Sequence, residues 1–187
     1  MKTIGNFTFI ETDIKDVYVI EPKVFGDNRG YFEETYQYDN FKEAGIDMIF
    51  VQDNESKSKK GVLRGLHFQT QYSQGKLVRV LQGEVFDVAV DLRKNSETYG
   101  KWTGVILSSE NKKMLYIPEN FAHGFLVLSE EATFTYKCTN IYHPEYDDGI
   151  IWNDKIINIK WPLEGIKEIL LSDKDRKQQT FEEYNNK

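Results

Sequence analysis

The segment from Val62 to Arg79 places a histidine among several cationic side chains, in a stretch of residues that favour strands. His67 stands between Arg64 and Lys76, and Arg79 follows. An arginine can hold an anion, a neutral histidine can accept a proton, and a lysine can stabilise a developing negative oxygen. Together these groups could abstract a carbon-bound proton from a phosphorylated substrate that carries a ketone. In the alternative, structural interpretation, a strand pair buries the histidine and leaves the cations in solvent.

Strands must position these side chains, because short apolar or alternating runs recur along the chain with turn residues between them. The predicted strands are Val17–Ile20, Tyr31–Tyr36, Phe50–Asn54, Val62–Phe68, Leu77–Leu81, Val85–Leu92, Trp102–Leu107, Leu115–Ile117, Gly124–Leu128 and Thr133–Cys138. The runs are rich in Val, Ile, Phe, Tyr and Thr, which is typical of sheets. Since crossover helices are missing, the sequence predicts an all-β sandwich or barrel and not a parallel βαβ fold.

Helical patterning is limited to two short segments. Asp39 is expected to cap a helix over Asn40–Ala44. A second helix is expected after Ser172, where the spacing to Asp175 is that of a capping box. No repeat, low-complexity tract or linker divides the chain, so we expect a single domain over residues 1–187.

The composition limits which classes of partner and which cellular compartment are expected. The chain has 187 residues, and its net charge of −6 argues against binding to nucleic acid or to anionic membranes, which would call for a basic face. Cys138 is the only cysteine, so no intrachain disulfide can form and the cytoplasm is the expected compartment. Charges interrupt the N-terminal segment, and no apolar run is long enough to predict a signal peptide or a transmembrane helix.

Seven sequence blocks resemble, in order and spacing, the dTDP-4-dehydrorhamnose 3,5-epimerases of nucleotide-sugar metabolism. They are EPKVFGDNRGYFEETY (21–36), FVQDNESKSKKGVLRGLHFQ (50–69), QGKLVRVLQGEVFDVAVDLRKNS (74–96), IPENFAHGF (117–125), TYKCTNIYHPE (135–145), GIIWND (149–154) and LSDKD (171–175). The resemblance implies a cupin-type jelly-roll β-barrel with few helices, with the substrate pocket inside the barrel and no cofactor. It also implies a homodimer and a place in the supply of L-rhamnose for cell-surface polysaccharide.

The activity that the resemblance implies is the conversion of dTDP-4-dehydro-6-deoxy-D-glucose to dTDP-4-dehydro-L-rhamnose. The ketone at carbon 4 acidifies the hydrogens on carbons 3 and 5, because each carbanion is an enolate. Epimerisation then needs a base on one face of the sugar, an acid on the other and a cation at the ketone oxygen. A mono-epimerase or an epimerase of another nucleotide-linked 4-ketosugar needs the same groups. A further alternative is a non-catalytic cupin that binds a sugar nucleotide.

The resemblance assigns catalytic roles to four residues. His67 of RGLH is the expected base, and Tyr136 of TYKCTN is the expected acid on the opposite face. Lys76 of QGKLVR would meet the enolate oxygen, and Asp175 of LSDKD would hydrogen-bond the histidine and fix its tautomer. Each residue also has a structural interpretation: a core histidine, a packing tyrosine, a solvated lysine and, for Asp175, part of a helix cap.

Further matches are expected to bind the dTDP-linked sugar. They are Arg29, Glu34, Gln52, Asp53, Asn54, Arg64, Lys76, His123, Asp147 and Lys174. Arg29, Arg64 and Lys174 could pair with the diphosphate, for which the planar fork of arginine is well suited. Glu34 and the segment 52–54 match positions that contact the nucleotide, and amides there can read a pyrimidine edge.

Three features of the resemblance lead to further expectations. His123 stands where metal-binding cupins keep their last histidine, but the usual pair of histidines one residue apart is missing, so we expect no metal. Asp147 stands where the family commonly has glutamate, which shortens its reach. For the dimer, the alternating segment Phe7–Glu11 could pair with an exposed sheet edge, and Arg29 or Glu34 could reach the pocket of a neighbouring subunit.

Overall fold

The computed structural model describes residues 1–187, which form fourteen strands, three short helices and a 3₁₀ turn at Pro144–Tyr146. The strands are β1 (Lys2–Ile4), β2 (Phe7–Glu11), β3 (Tyr18–Pro22), β4 (Val24–Asp27), β5 (Gly30–Glu33), β6 (Gln52–Lys59), β7 (Leu63–Gln69), β8 (Lys76–Gln82), β9 (Glu84–Asp91), β10 (Trp102–Ser108), β11 (Met114–Ile117), β12 (Phe121–Val127), β13 (Glu131–Cys138) and β14 (Asp147–Gly149). The helices are α1 (Tyr38–Glu43), α2 (Asp173–Arg176) and α3 (Phe181–Asn185).

Two antiparallel sheets face each other across an apolar interior. The seven-stranded sheet has the order β1-β2-β3-β11-β8-β13-β6, and the five-stranded sheet has the order β10-β9-β12-β7-β14. Val78 and Phe134 of the larger sheet share one buried cluster with Ala89 and Phe125 of the smaller sheet. Two antiparallel sheets that enclose one core, with neighbouring strands that are distant in the sequence, form a cupin-type jelly roll. The all-β prediction is therefore confirmed.

The outer face of each sheet is covered by a different part of the chain. Phe41 of α1 packs against Phe7 and Phe9 on the larger sheet, with edge-to-face ring contacts at 5.2 Å. On the smaller sheet the C-terminal segment contributes Phe181 to the cluster that contains Phe68. The C-terminal segment is thus held directly behind β7, the strand that carries the RGLH sequence.

All ten predicted strands are present with shifted ends, whereas β1, β2, β4 and β14 were not among them. Phe7–Glu11 lies between β1 and β3 of its own sheet, because burial of Phe7 and Phe9 against the core fixes it there. The hairpin β4–β5 pairs with no other strand. No helix is long and apolar enough to cross a membrane.

The predicted helix ends need one correction. Asp39 does not cap α1, since the helix begins earlier and the side chain of Gln37 accepts the Asn40 N–H at 2.7 Å. Ser172 caps α2 as predicted, because its Oγ accepts the Asp175 N–H at 3.0 Å. The third helix, α3, was not separately predicted.

Candidate active site

An irregularity in β7 brings Arg64 and His67 to the same cavity. Residues three apart on a regular strand point to opposite faces. Here the register of β7 against β12 shifts between His123 and Phe125. Gly65 permits the shift, since its φ is +116° and a Cβ there would lie 2.6 Å from the backbone of Gly124. The glycine of RGLH is therefore what allows its arginine and its histidine to act on one site.

His67, Lys76 and Tyr136 together line two adjoining cavities of about 210 Å³ and about 100 Å³. His67 belongs to the five-stranded sheet, whereas Lys76 and Tyr136 lie on β8 and β13 of the seven-stranded sheet. Facing sheets are separated by roughly 10 Å. The histidine and the tyrosine thus approach the cavity from opposite walls.

His67 and Asp175 form a close pair at one wall of this cavity. The Nε2 of His67 lies 2.5 Å from Oδ1 of Asp175. Because an ionised carboxylate only accepts hydrogen bonds, Nε2 carries a proton, and in the neutral imidazole Nδ1 then keeps the lone pair. Burial alone would raise the pKa of Asp175, but hydrogen bonds from His67 and Ser172 and the charge of Lys174 lower it overall. Asp175 consequently serves both interpretations, as the partner of His67 and as a member of the α2 cap.

Lys76 is buried in the interior of the barrel, with 9% of its surface exposed. Burial lowers its pKa, and the nearby negative charges of Asp87 and Asp147 offset that effect in part. Its Nζ makes no hydrogen bond or ion pair with another side chain of the protein. A desolvated ammonium without a partner is well suited to meet a negative oxygen that forms during a reaction.

Tyr136 lies on the opposite wall, directly across the β13–β6 pair from Asn54. Burial raises the pKa of Tyr136, although the positive charge of Arg64 opposes the shift. The phenol therefore stays protonated at neutral pH and can donate a proton.

A second histidine–carboxylate pair lies deeper in the barrel. His123 Nε2 contacts the two carboxylate oxygens of Asp87 at 3.0 and 3.1 Å, and both side chains are buried. Burial lowers the pKa of His123 and raises that of Asp87, so burial disfavours the charged form of each. His123 lines the cavity beside His67 and Lys76. Asp87 was not predicted, since an aspartate within an otherwise apolar strand gives no signal of its partner.

Asp147 and Lys174 are brought together at the mouth of the cavity. Asp147 Oδ2 accepts hydrogen bonds from Lys174 Nζ and, at 2.6 Å, from the hydroxyl of Tyr142. This hydrogen bond, with burial and the aspartate charge, raises the pKa of Tyr142 to about 12. Tyr142 lines the cavity with His67 but was missed, because nothing in the sequence separates it from the other tyrosines.

The segment 52–54 is divided between two faces of its strand. Gln52 and Asn54 share the face of Tyr136 and hydrogen-bond each other at 3.0 Å. Asp53 points to the outer face, where it pairs with Lys137 at 3.0 Å. Arg79, one of the cations around His67 in the sequence, also lies on that outer face, paired with a carboxylate of β5 at 3.1 Å. Strand alternation therefore takes Asp53 and Arg79 away from the cavity.

Arg29 and Glu34 lie outside the cavity of their own chain. Arg29 sits at the tip of the β4–β5 hairpin, 86% exposed and paired with Asp27 at 2.5 Å. Glu34 accepts a hydrogen bond from Asn6 at 2.6 Å. No group of three or more His, Cys, Asp or Glu side chains has a geometry that could hold a metal ion.

A cupin-type jelly roll that encloses a histidine–carboxylate pair, a buried lysine and a protonated tyrosine holds the groups that acid–base catalysis requires. The chain belongs to the dTDP-4-dehydrorhamnose 3,5-epimerase family, whose model matches residues 11–183. Epimerases are isomerases, and the chain is accordingly assigned to that class.

Relatives match along most of their length. The dTDP-4-dehydrorhamnose 3,5-epimerase of Methanothermobacter thermautotrophicus is 59% identical over 173 residues, covering 92% of this chain and 94% of the relative. That of Shigella flexneri is 60% identical over 174 residues, with the same coverage of 92% and 94%. A crystal structure of dTDP-6-deoxy-D-glucose-3,5-epimerase from Legionella pneumophila Philadelphia 1, in complex with dTDP-4-keto-L-rhamnose, matches with a TM-score of 0.90 at 53% identity, over 93% of this chain and 92% of that chain.

Proposed function

We propose that this protein epimerises carbons 3 and 5 of dTDP-4-dehydro-6-deoxy-D-glucose and releases dTDP-4-dehydro-L-rhamnose. The observation that carries the proposal is the placement of His67 and Tyr136 on facing sheets, with Lys76 lining the same two cavities. A binding protein does not need a base and an acid on opposite walls. The relatives named for this activity support the substrate.

His67 is the proposed base, and its free Nδ1 is the atom that accepts the proton. The carbon–hydrogen bond breaks, and its electron pair moves through the carbonyl to the oxygen on carbon 4. Lys76 stabilises the resulting enolate oxygen through its ammonium group. Removing such a donor costs roughly 3–4 kcal/mol of transition-state stabilisation.

Tyr136 is the proposed acid. Its hydroxyl donates a proton to the opposite face of the same carbon, the enolate returns to the ketone, and the configuration is inverted. Solvent then restores the phenol and removes the proton from His67, and the cycle repeats at the second carbon. A positioned general acid or base typically contributes about 10²–10⁴-fold to the rate.

Substrate binding is proposed for the remaining predicted residues. Arg64 opens into the cavity and is held only by Ser58, at 3.0 and 3.3 Å, so its guanidinium can turn to a diphosphate. Lys174 would have to exchange its contact with Asp147 for a phosphate oxygen. We also propose that His123 contacts the sugar through Nδ1, since Nε2 is occupied by Asp87.

We propose that two copies of the chain form a homodimer through the β4–β5 hairpin. The hairpin pairs with no other strand and exposes Val24, Phe25, Tyr31 and Phe32 to between 42% and 64%. An exposed apolar surface of this kind is typical of an interface. In the dimer, Arg29 and Glu34 would complete the nucleotide site of the partner.

Mixed dimers test this arrangement. Arg29→Ala and His67→Asn should each reduce activity as homodimers. Co-expressed, they form hybrids in which one site has both residues intact, and activity should return. If the hybrids remain as poor as the homodimers, Arg29 does not act in the partner's site.

A cytoplasmic location and a single domain over residues 1–187 remain predictions.

The double epimerisation is tested by turnover in D₂O followed by NMR of the sugar. We expect inversion and deuterium at both carbon 3 and carbon 5. Deuterium at one carbon only would indicate a mono-epimerase. Deuterium incorporated only into a different nucleotide-linked 4-ketosugar would show that the substrate assignment is wrong. Tight binding without any label would indicate a non-catalytic cupin.

A further inference from the structure

The C-terminal segment supplies a second side chain to the carboxylate that holds His67. Asp175 Oδ1 accepts the hydrogen bond of His67 Nε2 at 2.5 Å and also one from Gln178 Nε2 at 3.2 Å. Asp175 Oδ2 accepts from Ser172 Oγ at 2.8 Å. The carboxylate can only accept, so the amide must turn its NH₂ group toward it. Three donors therefore fix the plane of this carboxylate.

A glycine makes room for the Gln178 amide. Gly149 of β14 lies directly opposite His67 of β7 in the strand register. A Cβ at this position would overlap the end of the Gln178 side chain. The amide therefore rests on the backbone at the strand position that faces the histidine, and this contact sets its direction.

The amide of Gln178 is buried at a cost. Its Oε1 has no hydrogen-bond partner in the chain, a penalty that an apolar side chain of the same size would avoid. Packing alone would thus favour a residue such as methionine. The donation to Asp175 is the interaction that distinguishes glutamine at this position.

We propose that Gln178 is a positioning residue for proton abstraction, acting through Asp175 on His67. By holding Oδ1 in place, it keeps Nε2 as the protonated nitrogen of His67 and directs Nδ1 into the cavity. The kinetic part of this inference rests on the proposed function, whereas the tautomer of His67 does not.

The neighbouring residue offers a matched control. Gln179 lies in the same segment, and its Nε2 donates to the backbone oxygen of Gly149 at 3.3 Å. Its Oε1 is likewise buried without a partner. Gln179 makes no hydrogen bond to Asp175, so a general loosening of the segment would appear in both variants.

The test compares Gln178→Met, Gln178→Glu and Gln179→Met with the wild type. In Gln178→Met we expect kcat to fall about tenfold with KM unchanged, because a hydrogen bond to a charged group is lost. Gln178→Glu replaces a donor by an acceptor, so its kcat should fall further, whereas Gln179→Met should keep the wild-type kcat.

The tautomer is read without substrate by ¹⁵N NMR of histidine-labelled protein, which contains only three histidines. Wild type and Gln179→Met should show His67 protonated at Nε2, and Gln178→Met a mixture. The proposal is overturned if Gln178→Met matches Gln179→Met in both kcat and tautomer, or if Gln178→Met and Gln178→Glu are equally active. Absence of turnover in the wild type, with the tautomer change intact, would overturn the proposed function instead.

Discussion

Substitutions of Asp175 separate the two effects that its carboxylate has on His67. The side chain contributes a negative charge and an acceptor that fixes the tautomer. Asp175→Asn removes the charge only. If the asparagine NH₂ group took the Oδ1 position, it would face the donors of His67 and Gln178. At the Oδ2 position it would face only the hydroxyl of Ser172, which can rotate to accept a hydrogen bond. The asparagine oxygen should therefore stay on His67 and preserve the Nε2–H tautomer.

The magnitudes follow from that geometry. A charge-assisted hydrogen bond is worth about 1.5–3 kcal/mol and a neutral one about 0.5–1.5 kcal/mol. The difference of about 1.5 kcal/mol predicts a loss of roughly tenfold in kcat for Asp175→Asn. Asp175→Ala loses charge and tautomer together, so we expect about 10²–10⁴-fold, the usual contribution of a general base.

The assay is the initial rate of deuterium incorporation into the sugar, measured by NMR at saturating substrate. Asp173→Asn is the matched control, because Asp173 is exposed on the same helix and forms no hydrogen bond or ion pair with His67. If asparagine at position 175 is as poor as alanine, the amide has reversed and the tautomer argument is wrong. Near wild-type rates in Asp175→Ala would remove the pair from the mechanism altogether.

Two further predictions concern buried charges. Lys76→Met should lower kcat by about 10²–10³-fold, because the contact with the enolate oxygen is lost. It should also raise the melting temperature at neutral pH, because burial lowers the pKa of Lys76 and so disfavours its charged form in the folded state. Asp91→Asn should reduce the free energy of unfolding at pH 7, since hydrogen bonds from Arg93, Ser96 and Thr98 lower the pKa of this carboxyl from 3.8 to about 2 despite its burial. The lowered pKa corresponds to about 2 kcal/mol in the free energy of unfolding, present above pH ~4 and lost as the pH falls toward 2. Urea unfolding at pH 7 and pH 3 checks it, and an equal loss at both values would contradict the assignment.

The main strands of the fold could be predicted because their side chains alternate or form short buried runs. Strands β4 and β14 were missed because they lack that signal. Strand β4 is exposed along its whole length, and β14 has the sequence Asp-Asp-Gly, which reads as a turn. Strand β2 does alternate, but its partner in its own sheet is set by the contact of Phe7 with Phe41, which sequence spacing does not reveal.

The site could be predicted only where one motif carried the role. The structure brings His67, Lys76 and Tyr136, which the resemblance singled out, to one cavity, and their catalytic roles stay predictions. Strand alternation within residues 52–54 already implied that Asp53 would point away from its neighbours. Asp87 meets His123 through a contact between strands that are distant in the sequence. The contacts of Tyr142 with Asp147 and of Gln178 with Asp175 are local, but they depend on the irregular course of the backbone there, so they too required the structure.

The most direct test of the account compares His67→Asn and Tyr136→Phe in D₂O. The central claim is that base and acid stand on opposite faces of the sugar. Tyr136→Phe should therefore still exchange the hydrogens on carbons 3 and 5 for deuterium, but with configuration retained. His67 takes the hydrogen from one face, exchanges it with solvent and returns a deuteron to the same face. His67→Asn should abolish both exchange and inversion. Exchange with inversion in Tyr136→Phe, or continued exchange in His67→Asn, would contradict the assignment.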